Sequence, residues 1–142
     1  MFKSIALAIA ITLPTLGHAQ DFARRERFTI PVNQIDGTTF EVIEADAAGG
    51  TQMWCAAGIY ARNVLGVRGG DLYIAQGRGD AQTAPGRKGV TFSTQPVPNA
   101  FSSVSQGVRR TGKVFSMAHA YALCRNLPFL RVRISNNQLV RR

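Results

Sequence analysis

The sequence predicts an α+β fold in which two helices cover one face of a mainly antiparallel sheet. Short segments that alternate apolar and polar residues indicate strands, and two segments with apolar residues spaced by three and four indicate helices. These segments follow one another in the order strand, helix, strand, strand, helix, strand. Such a succession is typical of a two-layer sandwich, with one layer of helices packed on one layer of strands.

Four regions are expected along the 142 residues. Residues 1–19 have a basic start, a short apolar stretch and a small-residue cleavage site, as a signal peptide does. The other regions are an N-terminal segment (20–37), one globular α+β domain (38–136) and a basic C-terminal tail (137–142). No later apolar stretch approaches the ~20 residues that span a bilayer. We therefore expect an exported protein, periplasmic or secreted, without a transmembrane anchor.

The first strands are expected on either side of the turn at Asp36 and Gly37. Residues 28–32 predict a short strand, and Pro31 favours a place at the edge of the sheet because proline has no N–H to donate to a neighbouring strand. Residues 38–45 alternate apolar and polar side chains, which predicts a half-buried strand.

A helix is predicted over residues 51–65, because Thr51 can cap its start and Gly66 can end it. One face of this helix carries the apolar side chains Met53, Ala57, Tyr60 and Val64. Cys55 points away from Met53, so a second element must cover that flank if the cysteine is bonded.

Residues 72–76 and 90–94 are rich in β-branched and aromatic residues and predict a hairpin. Four glycines in residues 77–89 indicate a long, mobile connection between these two strands. Residues 95–113 contain prolines, serines and glycines and predict a surface connection, with a short irregular strand near Val104.

The last two elements are a short helix and a strand. Ser116 can cap a helix that ends before Pro128 and carries Cys124 on its apolar face. Residues 130–135 alternate strictly, which predicts a strand with one face in the core and Arg131 and Arg133 on the other. The complete order is that of the split βαβ, ferredoxin-like arrangement, in which both helices lie side by side.

Neighbouring helices would bring Cys55 and Cys124 together, and two cysteines in a small exported domain usually form a disulfide. The alternative is that Cys55 is a nucleophile near a helix start, with His119 as its base, in a thiol hydrolase or transferase. His119 is the only histidine after the predicted cleavage site. The residue set predicts no metal site and no cofactor.

Charge is distributed unevenly along the chain. The 17 Lys and Arg outnumber the eight Asp and Glu, and every acid lies between Asp21 and Asp80. The basic half that follows supplies five candidate anion-binding residues: Arg109, Arg110, Lys113, Arg131 and Arg133.

These observations favour a non-enzymatic binding module that engages an anionic surface, an acidic polysaccharide or another polymer, or an acidic protein. Nucleic acid is disfavoured as the partner, because export removes the protein from most of it and the strands lack an aromatic stacking platform. A simpler reading is that the arginines only keep the surface solvated, since charges adjacent in sequence can be dispersed by folding.

Overall fold

The computed structural model describes residues 27–142, so the predicted signal peptide lies outside the described residues. The fold is α+β, with two helices and an open, mostly antiparallel sheet of eight strands in the described part of the chain. The helices are α1 (Gly50–Asn63) and α2 (Met117–Ala122), and a 3₁₀ turn (Leu123–Asn126) follows α2. The strands are β1 (Thr29–Gln34), β2 (Thr39–Ile43), β3 (Asp71–Asp80), β4 (Lys88–Ser93), β5 (Phe101–Ser102), β6 (Lys113–Ser116), β7 (Arg131–Arg133) and β8 (Leu139–Val140).

The strands lie side by side in the order β5-β6-β3-β4-β2-β1-β7-β8. Strands β2 and β3 are joined through α1, and both pair antiparallel with β4, which lies between them. The pairs β1–β7 and β5–β6 are parallel. The α+β class is confirmed, but the specific ferredoxin-like order is not, because β1 separates β2 from β7 and further strands extend both edges of the sheet.

Strand β1 lies inside the sheet, although Pro31 favoured an edge position. Residues from Thr29 to Pro31 pair with β7, whereas residues from Val32 to Gln34 pair with β2. The strand thus changes partner directly after the proline. A residue at this changeover does not need to hydrogen-bond on both sides, which makes the missing N–H tolerable in an interior strand.

Helix α1 is buried from Met53 to Ala61, because the sheet covers one side and α2 the other. It begins at Gly50 with Gly49 as its N-cap, and the predicted cap Thr51 lies inside the first turn. The side chain of Gln52 accepts the Gly49 N–H at 3.0 Å, which satisfies a donor at this end.

Aromatic rings fill the space between α1 and the sheet. Trp54 lies edge-on to Phe92, with ring centroids 5.0 Å apart, and stacks on Phe115 at 4.3 Å. Phe40 of β2 contacts Tyr60 at 4.7 Å. These residues are buried, and such ring pairs add stability beyond the area that they bury.

The hairpin predicted from residues 72–76 and 90–94 is confirmed as β3 and β4, but the connection between them is shorter than expected. Strand β3 continues to Asp80, and the following loop is fastened to Glu41 of β2. Glu41 is 2% exposed, and its carboxylate accepts the N–H groups of Gln82 and Thr83, each at 2.8 Å, and the Thr83 hydroxyl at 2.6 Å. These bonds hold the loop against the sheet face opposite the helices.

The second half of the chain contains more strand than its sequence predicts. Val104 is almost fully exposed rather than part of a strand, and the short strands of this region are β5 and β6. Ser116 caps α2 as predicted, because its hydroxyl accepts the His119 N–H at 3.1 Å. Strand β7 is also confirmed, and β8 pairs with it within the predicted basic tail.

The predicted disulfide is present between Cys55 of α1 and Cys124 of the 3₁₀ turn, with Cα atoms 5.0 Å apart. Both residues are buried. The bond crosslinks residues 69 positions apart in the sequence, and it is compatible with an oxidising, exported location.

We expect replacement of both cysteines by alanine to lower the free energy of unfolding by about 2–4 kcal/mol, because the crosslink removes conformational freedom from the unfolded chain. Urea unfolding of the oxidised protein and the double variant measures this difference. The single variants Cys55→Ala and Cys124→Ala are the controls. Each should lose nearly as much as the double variant, whereas additive losses would show that packing and not the crosslink stabilises the fold.

Candidate anion-binding site

A cavity of about 580 Å³ lies between the start of α1, the C-terminal end of β3 and the segment that leads into β6. Four basic residues line it: Arg78, Arg109, Arg110 and Lys113. Glu44 is the one acidic residue of the described chain in this lining. The apolar part of the wall comes from Ala48, Met53 and Val108. Basic groups therefore dominate the charge of the cavity.

Lys113, the first residue of β6, holds the wall of the cavity in place. Its ammonium nitrogen donates to the carbonyl oxygens of Ser105 at 3.0 Å and Gly107 at 2.6 Å. Burial lowers the pKa of Lys113, and the nearby charge of Arg110 lowers it further. The residue as a whole is only 4% exposed.

Two glycines let the basic segment approach the rest of the fold. A Cβ atom on Gly77 of β3 would lie 2.2 Å from the carbonyl oxygen of Arg109, and one on Gly50 would lie 2.1 Å from that of Gln106. The Arg78 N–H donates to the carbonyl oxygen of Val108 at 2.8 Å, which ties the segment to β3. The sequence assigned Gly77 to a turn, whereas its role here is to make room for another backbone.

The carboxylate of Glu44 is engaged by Arg78. Arg78 Nη2 donates to Glu44 Oε1 at 3.0 Å, and Arg78 Nε donates to the other oxygen. This hydrogen-bonded pair lowers the pKa of Glu44 and raises that of Arg78. Since that pair is largely self-neutralising, the positive charge left in the cavity is that of Arg109, Arg110 and Lys113, which form no ion pair within residues 27–142.

Only three of the five predicted anion-binding residues come together. Arg109, Arg110 and Lys113 line the cavity, whereas Arg131 and Arg133 lie on β7. Strands β6 and β7 are five strand spacings apart, which corresponds to about 24 Å across the sheet. The sequence analysis did not count Arg78 among the anion-binding residues, because it fell in the predicted mobile connection and its contact with Glu44 spans 34 positions.

Cys55 and His119, the two residues of the thiol hydrolase or transferase alternative, do not contact each other as a nucleophile and its base would; each has a different partner. The sulfur of Cys55 is in the disulfide, and a thiol nucleophile has to be free. His119 is exposed on α2, and its ring lies edge-on to Phe115 with centroids 4.5 Å apart. Among residues 27–142, no three or more His, Cys, Asp or Glu side chains form a group that could hold a metal ion.

A second cavity of about 530 Å³ lies beside Tyr121 and includes Arg125, Arg141 and Arg142 in its lining. The guanidinium carbon of Arg142 lies 5.3 Å from the Tyr121 ring centroid, and that of Arg62 lies 4.4 Å from it. Arg125, Arg141 and Arg142 are exposed. Because all three arginines of its lining are exposed to water, this cavity has no buried basic residue comparable to Lys113.

No protein-family model, curated protein or solved structure matches the chain. Within the described residues, no helix has both the length and the apolar character needed to cross a bilayer.

We expect Gly77→Ala to displace the Arg109 backbone and to lower the free energy of unfolding by about 1–3 kcal/mol, because a methyl group cannot fit 2.2 Å from a carbonyl oxygen. Urea unfolding gives the change. Gly79→Ala is the matched control on the same strand, since its Cβ would meet its nearest neighbour at an ordinary 3.7 Å. Equal stability of the two variants would contradict this account of Gly77.

Proposed function

We propose that the protein is an exported, non-enzymatic binding module that engages anionic groups through the cavity beside β6. The observation that carries this proposal is the cluster of Arg109, Arg110 and Lys113 around one cavity, with no carboxylate of the described residues paired to them. Uncompensated positive charge in a recess attracts anions, because the low-dielectric walls concentrate its field.

The chemistry of these groups suits oxyanions. Arginine presents a planar fork of N–H donors that matches a carboxylate, phosphate or sulfate group. Arg110 also lies 4.2 Å from the ring centroid of Phe101, which restricts where its guanidinium can go. The start of α1 adds partial positive charge, and its first turn contains no acidic residue.

Outside the cytoplasm, the anions available to such a module are lipid and lipopolysaccharide head groups, acidic polysaccharides and acidic proteins. The signal-peptide-like start and the disulfide support this location. The disulfide also argues against the thiol hydrolase or transferase alternative, because Cys55 has no free thiol while it is bonded.

We expect the mature, oxidised protein to bind immobilised heparin and to elute at a salt concentration that depends on the cavity arginines. Arg109→Gln/Arg110→Gln should elute at clearly lower salt than the control pair Arg131→Gln/Arg133→Gln, which removes the same charge from β7, near the opposite edge of the sheet. Thermal unfolding checks that both variants are folded. Equal elution of the two pairs would reject the cavity as the binding site.

Glu44→Gln should have the opposite effect and increase retention on heparin. The substitution removes the acidic charge from the cavity and releases Arg78 from its ion pair. Asp80→Asn is the matched control, because it changes the net charge equally at a carboxylate that pairs with Lys88 and does not line the cavity. If both variants elute together, retention reports total charge and not this site.

A further inference from the structure

We propose that the ligand of this protein is a linear acidic polysaccharide that contacts two basic clusters at once, the cavity beside β6 and a second cluster at the other end of α1. This inference rests on the proposed function and deepens it, because it names the class of polyanion and adds a second contact. The second cluster, termed the Tyr121 cluster, consists of Arg62, Arg125, Arg141 and Arg142 around the ring of Tyr121.

Ring and backbone contacts hold the arginines of the Tyr121 cluster near one another. Arg62 and Arg142 both place a guanidinium group against the Tyr121 ring, and cation–π attraction favours this arrangement. The side-chain amide of Asn63, the last residue of α1, donates to the carbonyl oxygen of Arg141 at 2.7 Å. The segment with Arg141 and Arg142 is therefore fastened to the C-terminal end of α1.

The positive charge of the Tyr121 cluster is not compensated by acidic side chains. Among residues 27–142, no Asp or Glu lines its cavity, and the two ion pairs, of Arg78 with Glu44 and of Lys88 with Asp80, involve none of its arginines. An arginine without an acidic partner can present its fork of N–H donors to a carboxylate or sulfate group of a ligand.

The two clusters lie at opposite ends of α1. Gly50 begins the helix and lines the cavity beside β6, whereas Arg62 near its C-terminal end contacts Tyr121. The helix between Gly50 and Arg62 is roughly 18 Å long, at ~1.5 Å per residue. Strand β6 and α2 make a second connection, since Lys113 lines the first cavity and Tyr121 the second. The sequence from Lys113 to Tyr121 contains no acidic residue that would repel a polyanion along this connection.

The separation of the clusters favours a chain over a small anion or a membrane. Electrostatic interactions are screened beyond about 8 Å at physiological ionic strength, so a small anion interacts with one cluster only. A membrane surface contacts groups that protrude to one plane, whereas Lys113 is 4% exposed. A chain with repeated oxyanion groups can bend from the recess at Lys113 to the exposed arginines of the Tyr121 cluster.

A folded acidic protein fits the two clusters less well than a polysaccharide. Protein interfaces usually have an apolar core surrounded by a polar rim. The large apolar side chains exposed in the described part of the chain belong to four different elements or loops, and none of them lines either cavity: Ile35, Val64, Val104 and Leu139.

The test is calorimetric titration of the mature, oxidised protein with heparin oligosaccharides of defined length at physiological ionic strength. We expect one octasaccharide to bind per protein molecule. Its affinity should exceed that of a disaccharide roughly tenfold or more, because joining two contacts in one ligand raises the affinity above that of either contact. The disaccharide is too short to reach both clusters.

Two pairs of substitutions test the second contact. Arg125→Gln/Arg141→Gln should remove most of the gain in affinity with length, because the octasaccharide then retains only the cavity beside β6. The control pair Arg131→Gln/Arg133→Gln should keep this gain. It removes the same charge from the sheet face away from the core, since these arginines alternate with the buried Val132. Thermal unfolding checks that each variant is folded.

Three results would overturn the bridging polysaccharide. The first is binding of two octasaccharides per protein molecule, and the second is an equal gain with length in the two pairs of variants. The third is binding to vesicles of phosphatidylcholine and phosphatidylglycerol that depends on Arg125 and Arg141, without any gain from oligosaccharide length, which would assign both clusters to a membrane.

The proposed function survives each of these results if heparin elution still depends on Arg109 and Arg110. If neither heparin elution nor octasaccharide affinity responds to these two arginines, both proposals fail.

Discussion

The close packing of α1 between the sheet and α2 is the constraint on which the rest of the structure depends. Helix α1 has 14 residues and is buried on two sides, so its side chains have to match the space available on each side. The aromatic rings of Trp54 and Tyr60 pack against residues of the sheet, and the small residue Gly58 lies against α2. A Cβ atom on Gly58 would already lie 3.0 Å from the Tyr121 backbone nitrogen, so the two helices approach almost as closely as their backbones permit. This close approach also brings Cys55 near enough to Cys124, directly after α2, for the disulfide to form.

Close backbone contact also organises the charge. The backbone at Arg109 lies directly over Gly77 of β3. A few residues earlier, the backbone at Gln106 lies over Gly50 at the start of α1. Lys113 then fastens the same segment from inside through two carbonyl oxygens. The basic side chains lie around one cavity because these backbone contacts fix the positions of their Cα atoms.

Patterns among residues that are close in the sequence predicted much of the fold. The alternation in β2, β3, β4 and β7, the Ser116 cap and the pairing of Cys55 with Cys124 could all be read from local pattern or compartment chemistry. Local pattern was insufficient where a long-range contact decides the outcome. The interior position of β1 depends on its pairing with β7, about a hundred positions later in the chain. The conformation of the loop after β3 depends on hydrogen bonds to the Glu41 carboxylate.

The candidate site was predictable in part for the same reason. An excess of basic residues after Asp80 indicated where the cations are in the sequence, but not which of them meet. Lys113 and Arg110 lie within one short segment, so their closeness in space could be predicted from the sequence. Arg131 and Arg133 belong to another edge of the sheet, and Arg78 joins the site only because β3 runs past the basic segment. The order of the strands in the sheet determines which basic residues line the cavity, and no single segment of the sequence encodes that order.

Burial of the disulfide has a consequence for when the crosslink can form and break. Cys55 and Cys124 are enclosed by the core, so large oxidants and reductants cannot reach the sulfur atoms once the helices have docked. The crosslink has to be made while the chain is still assembling, and afterwards it is shielded from changes in the surrounding redox poise. In the folded protein the crosslink is therefore a structural brace that lies out of reach of bulky redox partners.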